Sequence, residues 1–352
     1  MGIKNFINKK PYIIAGPCSV ESESQVLDIA SSIYKIANVF RAGVWKPRTS
    51  PSSFEGIGEK GLKWLSKVKE DYSLKVATEV ATARHVDLCL KHEIDILWIG
   101  ARTTVNPFYV QEIAEALKGV KIPVFVKNPI HPDLGLWIGA IERLNKSGIS
   151  ELAAIHRGFY SYDKLMFRND PKWEVPIKLK EKIKDIPIIC DPSHIAGKAN
   201  LVEDICQTAM DINLDGLMIE THNNPLLALS DVEQQITPVR LKQLVRNLVL
   251  RRERLSDKDV KMQLMKMRDR IDVFDLKIVE LLKERQDAVE EIALFKKKNQ
   301  LTIFQLQRWY DILKTRKAKG KDLDIDEKMI SELFSLIHKY SILTQTNIMR
   351  NI

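Results

Sequence analysis

The sequence is poor in cysteine, and its few cysteines are scattered. Cys18, Cys89, Cys190 and Cys206 form no CxxC pair and no dense framework. A disulfide-stapled secreted domain and a zinc ribbon are therefore not expected, and a reducing compartment is. Long apolar runs are missing too. No stretch approaches the roughly 20 apolar residues of a membrane-spanning helix. Met1 to Lys10 lacks the apolar run of a secretory signal. These absences point to a cytoplasmic protein with no membrane partner, in which the sequon Asn145-Lys146-Ser147 carries no meaning. Net charge is +9, yet Lys and Arg do not cluster with interleaved aromatics. That excludes the usual nucleic-acid footprint. The positive surplus is either a solvated surface or a means of gripping small anions.

What is present is ample for a core: 352 residues, 45% of them hydrophobic and 29% charged. The length suits a barrel of about 250 residues plus a small appendage. Short apolar runs recur at Tyr12–Pro17, Val39–Trp45, Lys75–Val80, Ile96–Ala101, Pro123–Asn128, Glu151–Gly158, Ile186–Ser193 and Leu214–His222. Each is followed by a helical pattern. Near-continuous apolar strands alternating with amphipathic helices predict parallel βα units. Eight units predict an α/β fold, a TIM-type (β/α)8 barrel over 1–250. An open doubly wound sheet is the rival, but it usually carries a Gly-rich turn after its first strand. The literal GxGxxG at Gly56 to Gly61 follows a Pro/Ser-rich loop instead, so it is discounted as a dinucleotide site.

The pattern changes past residue 250. From Leu264 no Gly or Pro occurs until Gly320, and Leu264, Met267, Ile271, Phe274, Ile278 and Leu281 fall at heptad spacing. One long helix over 262–298 is predicted, then shorter ones near 304–318 and 326–349. The charged stretch 251–261 reads as a linker, and 262–352 as an all-α three-helix domain. Such a helix is too long for a domain of about 90 residues to cover. It needs a partner, most simply its copy in a second subunit, giving a homodimer through the helical domain.

In a barrel of this kind, functional side chains sit at the C-terminal strand ends. Those ends supply two groups. Arg41, Lys46, Arg48, Arg102, Lys127 and Arg157 are cations on one rim, costly to bury unless anions neutralise them. Phosphates or carboxylates of a substrate would do so, and Arg suits them through bidentate geometry. Cys18, His194, Glu220 and Asp231 combine a thiolate, an imidazole and two carboxylates, a set able to hold a divalent ion with room for a substrate oxygen. A lone Cys or His at a strand end is usually packing or an ordinary hydrogen-bonder. Four donor types at four ends of one barrel are harder to assign to chance. Cys89, Cys190 and Cys206 read as core. His85, His92, His131 and His338 read as surface or structural, and His156 and His222 stay open.

The motifs GPCS, KPRTSP, IGARTT, HRG and DPSH, followed by Glu220 and Ser230-Asp231, resemble the type I DAHP synthases, nearest to their beta subclass, over about residues 10–250. KPRTSP separates them from the sister octulosonate phosphate synthases. The resemblance implies condensation of phosphoenolpyruvate with erythrose 4-phosphate. It implies metal binding by Cys18, His194, Glu220 and Asp231. Manganese is the expected ion, with iron(II), cobalt and zinc open. It implies that Arg41, Arg102, Lys127 and Arg157 hold phosphoenolpyruvate, and that Arg48 and Thr49 hold the erythrose phosphate. Lys46 would donate a proton and Glu79 would position a water. A Schiff-base aldolase using Lys46 is the rival chemistry, and it would not need the metal set.

In the helical part, Arg285 sits on the apolar seam between Ile278 and Ile292, and Lys296 lies about three turns on, sharing its face. Gln345 extends the stripe Ile330, Phe334, Ile337, Ser341. Arg268 lies seventeen residues before Arg285 and points elsewhere, so a site using both would take it from a second chain. From the pattern alone, a coiled-coil dimerisation module with polar register residues remains open. MRDRID at 267–272, LKER at 282–285 and SILTQ at 341–345 resemble the all-helical chorismate mutases over about 260–350. The resemblance implies that Arg285, with Arg268 of the partner subunit and Arg308, grips the two carboxylates of chorismate. Lys296 and Gln345 would donate to the breaking ether oxygen. Members often carry an acidic pair around Arg308 for the substrate hydroxyl; here those positions are Gln305 and Trp309. Gln305 can still hydrogen-bond, whereas Trp309 replaces no carboxylate. Two chemistries of one pathway in one chain imply feedback on the barrel by prephenate or chorismate. The alternative is a helical module that senses a ligand and dimerises without turnover.

Overall fold

A computed structural model describes residues 6–7, 10–47, 52–163, 166–251 and 258–350. It separates into two compact units, Met1–Glu253 and Arg254–Ile352.

The strands of the first unit are buried along most of their length, which is why they read as continuous apolar runs rather than alternating ones. They are β1 Tyr12–Gly16, β2 Val39–Arg41, β3 Lys75–Val80, β4 Ile96–Ile99, β5 Val124–Lys127, β6 Leu152–His156, β7 Ile188–Cys190 and β8 Gly216–Glu220. Each pairs in parallel with the next, and β8 returns to β1, with Gly16 opposite Glu220. The expected eight-stranded closed barrel is the observed one. Strand period two sorts the side chains. Tyr12, Ile14, Val39, Ala77, Trp98, Phe125, Ile155, Ile189 and Met218 fill the interior. Their neighbours Ile13, Ala15, Phe40, Val76, Leu97, Val126, Ala154 and Leu217 face the helices. Phe6 joins the inner cluster, its ring 5.7 Å from that of Phe125.

Several strands end sooner than their apolar runs. The run after Arg41 leaves the ladder, keeping one bridge between Gly43 and Ser19. The run through Cys190 stops because Asp191 caps a helix, Pro192–Ala196, with Pro192 in its first turn.

Among the described residues the second unit has three helices, as expected: a long one, Lys258–Lys298, a middle one, Leu306–Asp322, and a last one, Glu327–Arg350. At about 1.5 Å per residue the long helix runs roughly 60 Å. Only Val289 and Ala293 of it are buried. The last helix lies against its C-terminal half, where Gln286 bonds Thr344 and Lys297 bonds the Ile348 carbonyl. Gly320 lets the middle and last helices approach, since a Cβ there would meet Ile330 at 2.7 Å. No described helix is long and apolar enough to cross a membrane.

Candidate active sites

The turn after β1 carries Cys18, and the loop after β8 carries Asp231. Gln235 ties the two together, accepting from the Cys18 backbone at 3.0 Å and donating to the Ser230 carbonyl at 2.8 Å. Ser19 and Ser230 hydroxyls meet at 2.6 Å. Asp231 sits at φ +48, a left-handed conformation that Asp tolerates better than most residues. The result is a cluster in which Cys18, Glu220 and Asp231 each offer a donor atom within 4.8 Å of the others. Cys18 Sγ is 3.0 Å from Asp231 Oδ2, and Lys46 Nζ is 2.9 Å from the same sulfur.

His194 stands at the edge of this cluster, its Nε2 3.9 Å from Glu220 Oε1. Its Nδ1 faces Asp191 Oδ1 at 2.9 Å, and the same oxygen accepts the His194 backbone N–H. Asp191 therefore fixes the ring so that Nε2 points at the carboxylates, the usual support of a metal-ligating imidazole. Asp191 also pairs with Lys127 at 2.8 Å.

Electrostatics keep the acids ionised in spite of their burial. Burial alone would raise Glu220 and Asp231. His194 opposes it at both, joined by Arg41 at Glu220 and by Lys46 and Arg168 at Asp231, and both end below the usual carboxylate range. Burial, then Glu220, pushes the Cys18 thiol up to about 12. A buried thiol among carboxylates has a strong reason to exchange its proton for a cation.

Above the cluster opens a cavity of about 330 Å³. Lys46, Glu79, Arg102, Lys127, Arg157, Arg168, Asn169, His194 and Asp231 are among the residues lining it. Arg157 donates to Asn169 Oδ1 at 2.9 Å, and Asn169 in turn donates to the His194 carbonyl at 2.6 Å. Burial lowers Arg157 to about 10, which leaves it cationic. Arg102 donates to the Pro47 carbonyl. Neither arginine pairs with a carboxylate among the described residues, so both are available to an anion. Glu79 accepts from Trp98 Nε1 at 2.8 Å and lies against Gly100, where a Cβ would meet its carboxylate at 2.2 Å.

Arg41 differs from the expectation. It is 2% exposed and pairs with Glu220 at 2.7 Å, beneath the cavity rather than in its wall. Arg48 and Thr49 lie outside the described residues. Arg168, Asn169 and the glutamines 234 and 235 were missed. Gln234 donates to Glu220 Oε2 at 2.7 Å and accepts from Arg168, which also meets Asp231 at 3.1 Å. Residues 157–173 have no periodicity that would have marked Arg168 or Asn169. His156 faces Trp137, Phe159 and Trp173 rather than the cavity, and His222 lies 3.5 Å from Glu21.

The helical unit brings a second set together. Arg285 donates to Ser341 Oγ at 2.7 Å, and Lys296 to the Ile303 carbonyl at 2.6 Å. Burial and the nearby Arg316 lower Arg285; burial lowers Lys296. Gln345 is 8% exposed; its amide nitrogen donates to the Ser341 carbonyl and its Oε1 is buried without a partner among the described residues. Trp309 stacks on His338 with centroids 4.1 Å apart. Gln305 caps the middle helix by position, without a side-chain bond, and Arg308 is exposed. Arg268 is exposed and lies about 25 Å along the helix from Arg285, so one chain does not unite them.

A closed (β/α)8 barrel with buried metal-type donors under a cationic cavity defines an enzyme for phosphorylated or carboxylated substrates. The chain belongs to the DAHP synthetase I family, whose model matches residues 2–255, and residues 267–346 match chorismate mutase type II. It is similar to the phospho-2-dehydro-3-deoxyheptonate aldolase of Thermotoga maritima, 32% identical over 237 residues, spanning 67% of this chain and 68% of that one. A 2-dehydro-3-deoxyphosphooctonate aldolase of Campylobacter jejuni is 27% identical over 273 residues, spanning 68% and 96%. The crystal structure of the Thermotoga maritima DAHP synthase superposes with a TM-score of 0.60 at 29% identity, covering 67% of each chain. Its family is generally dependent on a divalent metal ion, and the Cys18 cluster could hold one.

Proposed function

We propose that the barrel condenses phosphoenolpyruvate with erythrose 4-phosphate to 3-deoxy-D-arabino-heptulosonate 7-phosphate, and that the helical unit rearranges chorismate to prephenate. The observation that carries the first reading is the thiol and carboxylate cluster lying directly beside Lys46 and under two arginines without carboxylate partners. Cys18, His194, Glu220 and Asp231 would hold a divalent ion, for which manganese is proposed and iron(II), cobalt and zinc suit the same donors. When bound, the ion supplies Lewis-acid polarisation of the aldehyde.

The chain's own residues do the rest. Arg102, Arg157 and Lys127 bind and orient phosphoenolpyruvate, so that its enol carbon lies against the aldehyde carbon. Lys46 delivers a proton to the aldehyde oxygen as the carbon–carbon bond forms. Glu79 holds the water that adds to the adjacent carbon before phosphate leaves. Arg41 acts by fixing Glu220. Arg48 and Thr49 are assigned to the erythrose phosphate by resemblance.

Chorismate rearrangement is pericyclic and needs no nucleophile. It needs a compact substrate and stabilised developing charge. Arg285 and Arg308, with Arg268 of the partner subunit, take the carboxylates, while Lys296 and Gln345 serve the ether oxygen. This requires a homodimer through the helical unit. The buried free cysteines suit a cytoplasmic setting. Regulation belongs to the same proposal: prephenate or chorismate in the helical site inhibits the barrel. Saturating prephenate that leaves barrel kinetics unchanged would sink that part.

The test is parallel assay of both reactions on the full chain. Chelation should stop heptulosonate formation and spare chorismate loss; Arg285→Ala should do the reverse. Trp309 favours a second reading, a helical module that binds ligand and dimerises without turnover. Intact barrel activity with no chorismate consumption would select it.

A further inference from the structure

One polar side chain of the helical unit has no assigned role in the mutase reading. His338 lies on the last helix, three and seven residues before Ser341 and Gln345, so it shares their face. Its ring stacks on Trp309 with planes 16° apart and meets Phe304 at 5.8 Å. These contacts fix the plane of the imidazole. Its Nε2 is buried, and no described atom hydrogen-bonds to it. An unmet buried nitrogen lowers stability unless a ligand or water satisfies it.

The chemistry of chorismate says what could meet it. Two carboxylates and an ether oxygen are acceptors, served by the cations and by Gln345. The secondary hydroxyl is the substrate's donor and requires an acceptor. Gln305 is exposed and offers only a neutral amide oxygen, and Trp309 offers no acceptor. Ser341 Oγ already accepts from Arg285 and donates to the Ile337 carbonyl. Gln345 lies two turns beyond His338 and is assigned to the ether. We propose that His338 is a substrate-binding residue of the mutase site, its Nε2 accepting the hydrogen bond of the chorismate hydroxyl while Trp309 holds its ring in place. This rests on the mutase reading above.

An acceptor nitrogen must be unprotonated, and its surroundings favour that form. Burial lowers His338, and Arg285 and Lys296 of the long helix lower it further. The middle helix presents the uncharged Trp309 to it.

The experiment is steady-state chorismate kinetics on the full chain between about pH 5 and 8, bracketing the ordinary His range, with two variants. His338→Phe keeps a ring on Trp309 and removes the acceptor. His338→Gln keeps an acceptor at similar reach but does not titrate. We expect His338→Phe to raise KM by roughly 10- to 100-fold with a smaller effect on kcat, and His338→Gln to recover most of the loss. Wild-type kcat/KM should fall on the acid side as the ring protonates, and His338→Gln should stay flat there. A wild-type KM in His338→Phe overturns the inference, as does His338→Gln impaired as deeply as His338→Phe. Should His338→Phe fail to fold, the KM and acid limb of His338→Gln decide alone. A wild-type chain that neither consumes chorismate nor binds prephenate by calorimetry sinks the mutase reading itself, and this inference with it.

Discussion

The two units solve opposite problems. In the barrel, the two most deeply buried cations of the site meet carboxylates from the same chain: Arg41 with Glu220, Lys127 with Asp191. The metal-type donors are held in place by Gln234, Gln235 and Ser193 before any ligand arrives. The helical unit leaves its work unfinished. Ile271, Phe274, Ile278 and Leu281 are all more than half exposed, Arg268 is exposed and distant from Arg285, and Gln345 and His338 keep buried atoms without partners among the described residues. The difference teaches that the barrel's candidate donors are brought together by one chain, whereas Arg268 and Arg285 of the helical unit are not. Preorganisation in the first comes from intrachain ion pairs; in the second the proposed homodimer and the substrate would supply it.

Removing a barrel donor gives the sharpest break. Cys18→Ala should lower heptulosonate formation by on the order of 1000-fold or more, since Lewis-acid stabilisation is worth several kcal/mol. Chorismate turnover should be untouched. Loss of both activities in a folded variant would mean that the two sites are one coupled machine, and the contrast drawn above would fail.

The converse break is made on the exposed seam. Ile278→Glu puts charge on a helix face that is 55% exposed in one chain, so a monomer should tolerate it and a dimer should not. We expect monomers in sedimentation, chorismate turnover down by roughly 100-fold, and barrel activity nearly unchanged. A variant that stays dimeric, or a monomer that keeps mutase activity, removes the need for Arg268 of the partner subunit.

These contrasts bear on what the sequence could reveal. The barrel strands were legible because burial on both faces leaves continuous apolar runs, and Cys18, His194 and Glu220 because they lie at the ends of those runs, whereas Asp231 sits in the loop beyond β8. Arg41 was legible as a strand-end cation but not as the partner of Glu220, because pairing across 179 residues is a property of the closed barrel. Arg168 and Asn169 sit in an irregular loop where no period marks function. Asp191 could have been found from its own motif: an Asp before Pro and three residues before His caps a helix and reaches that His ring. From the sequence His338 reads as surface or structural. Its spacing of three and seven to Ser341 and Gln345 was the available signal.

A smaller effect isolates Asn169, which joins Arg157 to the His194 turn. Asn169→Ala should raise the KM for phosphoenolpyruvate by about 10-fold, the loss of one hydrogen bond that orients a charged group. Because Asn169 also supports the turn, the affinity for manganese should be measured beside it. A fall in metal affinity with an unchanged KM would place Asn169 on the donor side rather than the substrate side.

The smallest effect concerns stability alone and again separates the units. His156 is fully buried among Trp137, Phe159 and Trp173, and burial lowers it from 6.5 to about 3. The unfolded chain takes up a proton below about pH 6.5, whereas the folded barrel does so only near pH 3. The stability this ring confers is therefore full above the unfolded value and drains away as pH falls toward the folded one, by roughly 1.4 kcal/mol per pH unit. Urea unfolding of the barrel at pH 7 and pH 5 should differ less in His156→Phe than in the wild type, by about 2 kcal/mol. Phe keeps a ring in the aromatic box and has no proton to gain, so its own packing cost is the same at both pH values and cancels. An equal loss of stability in both proteins would mean that acid acts elsewhere in the barrel, and the ion pairs of Asp191 and Glu220 would then be the groups to test.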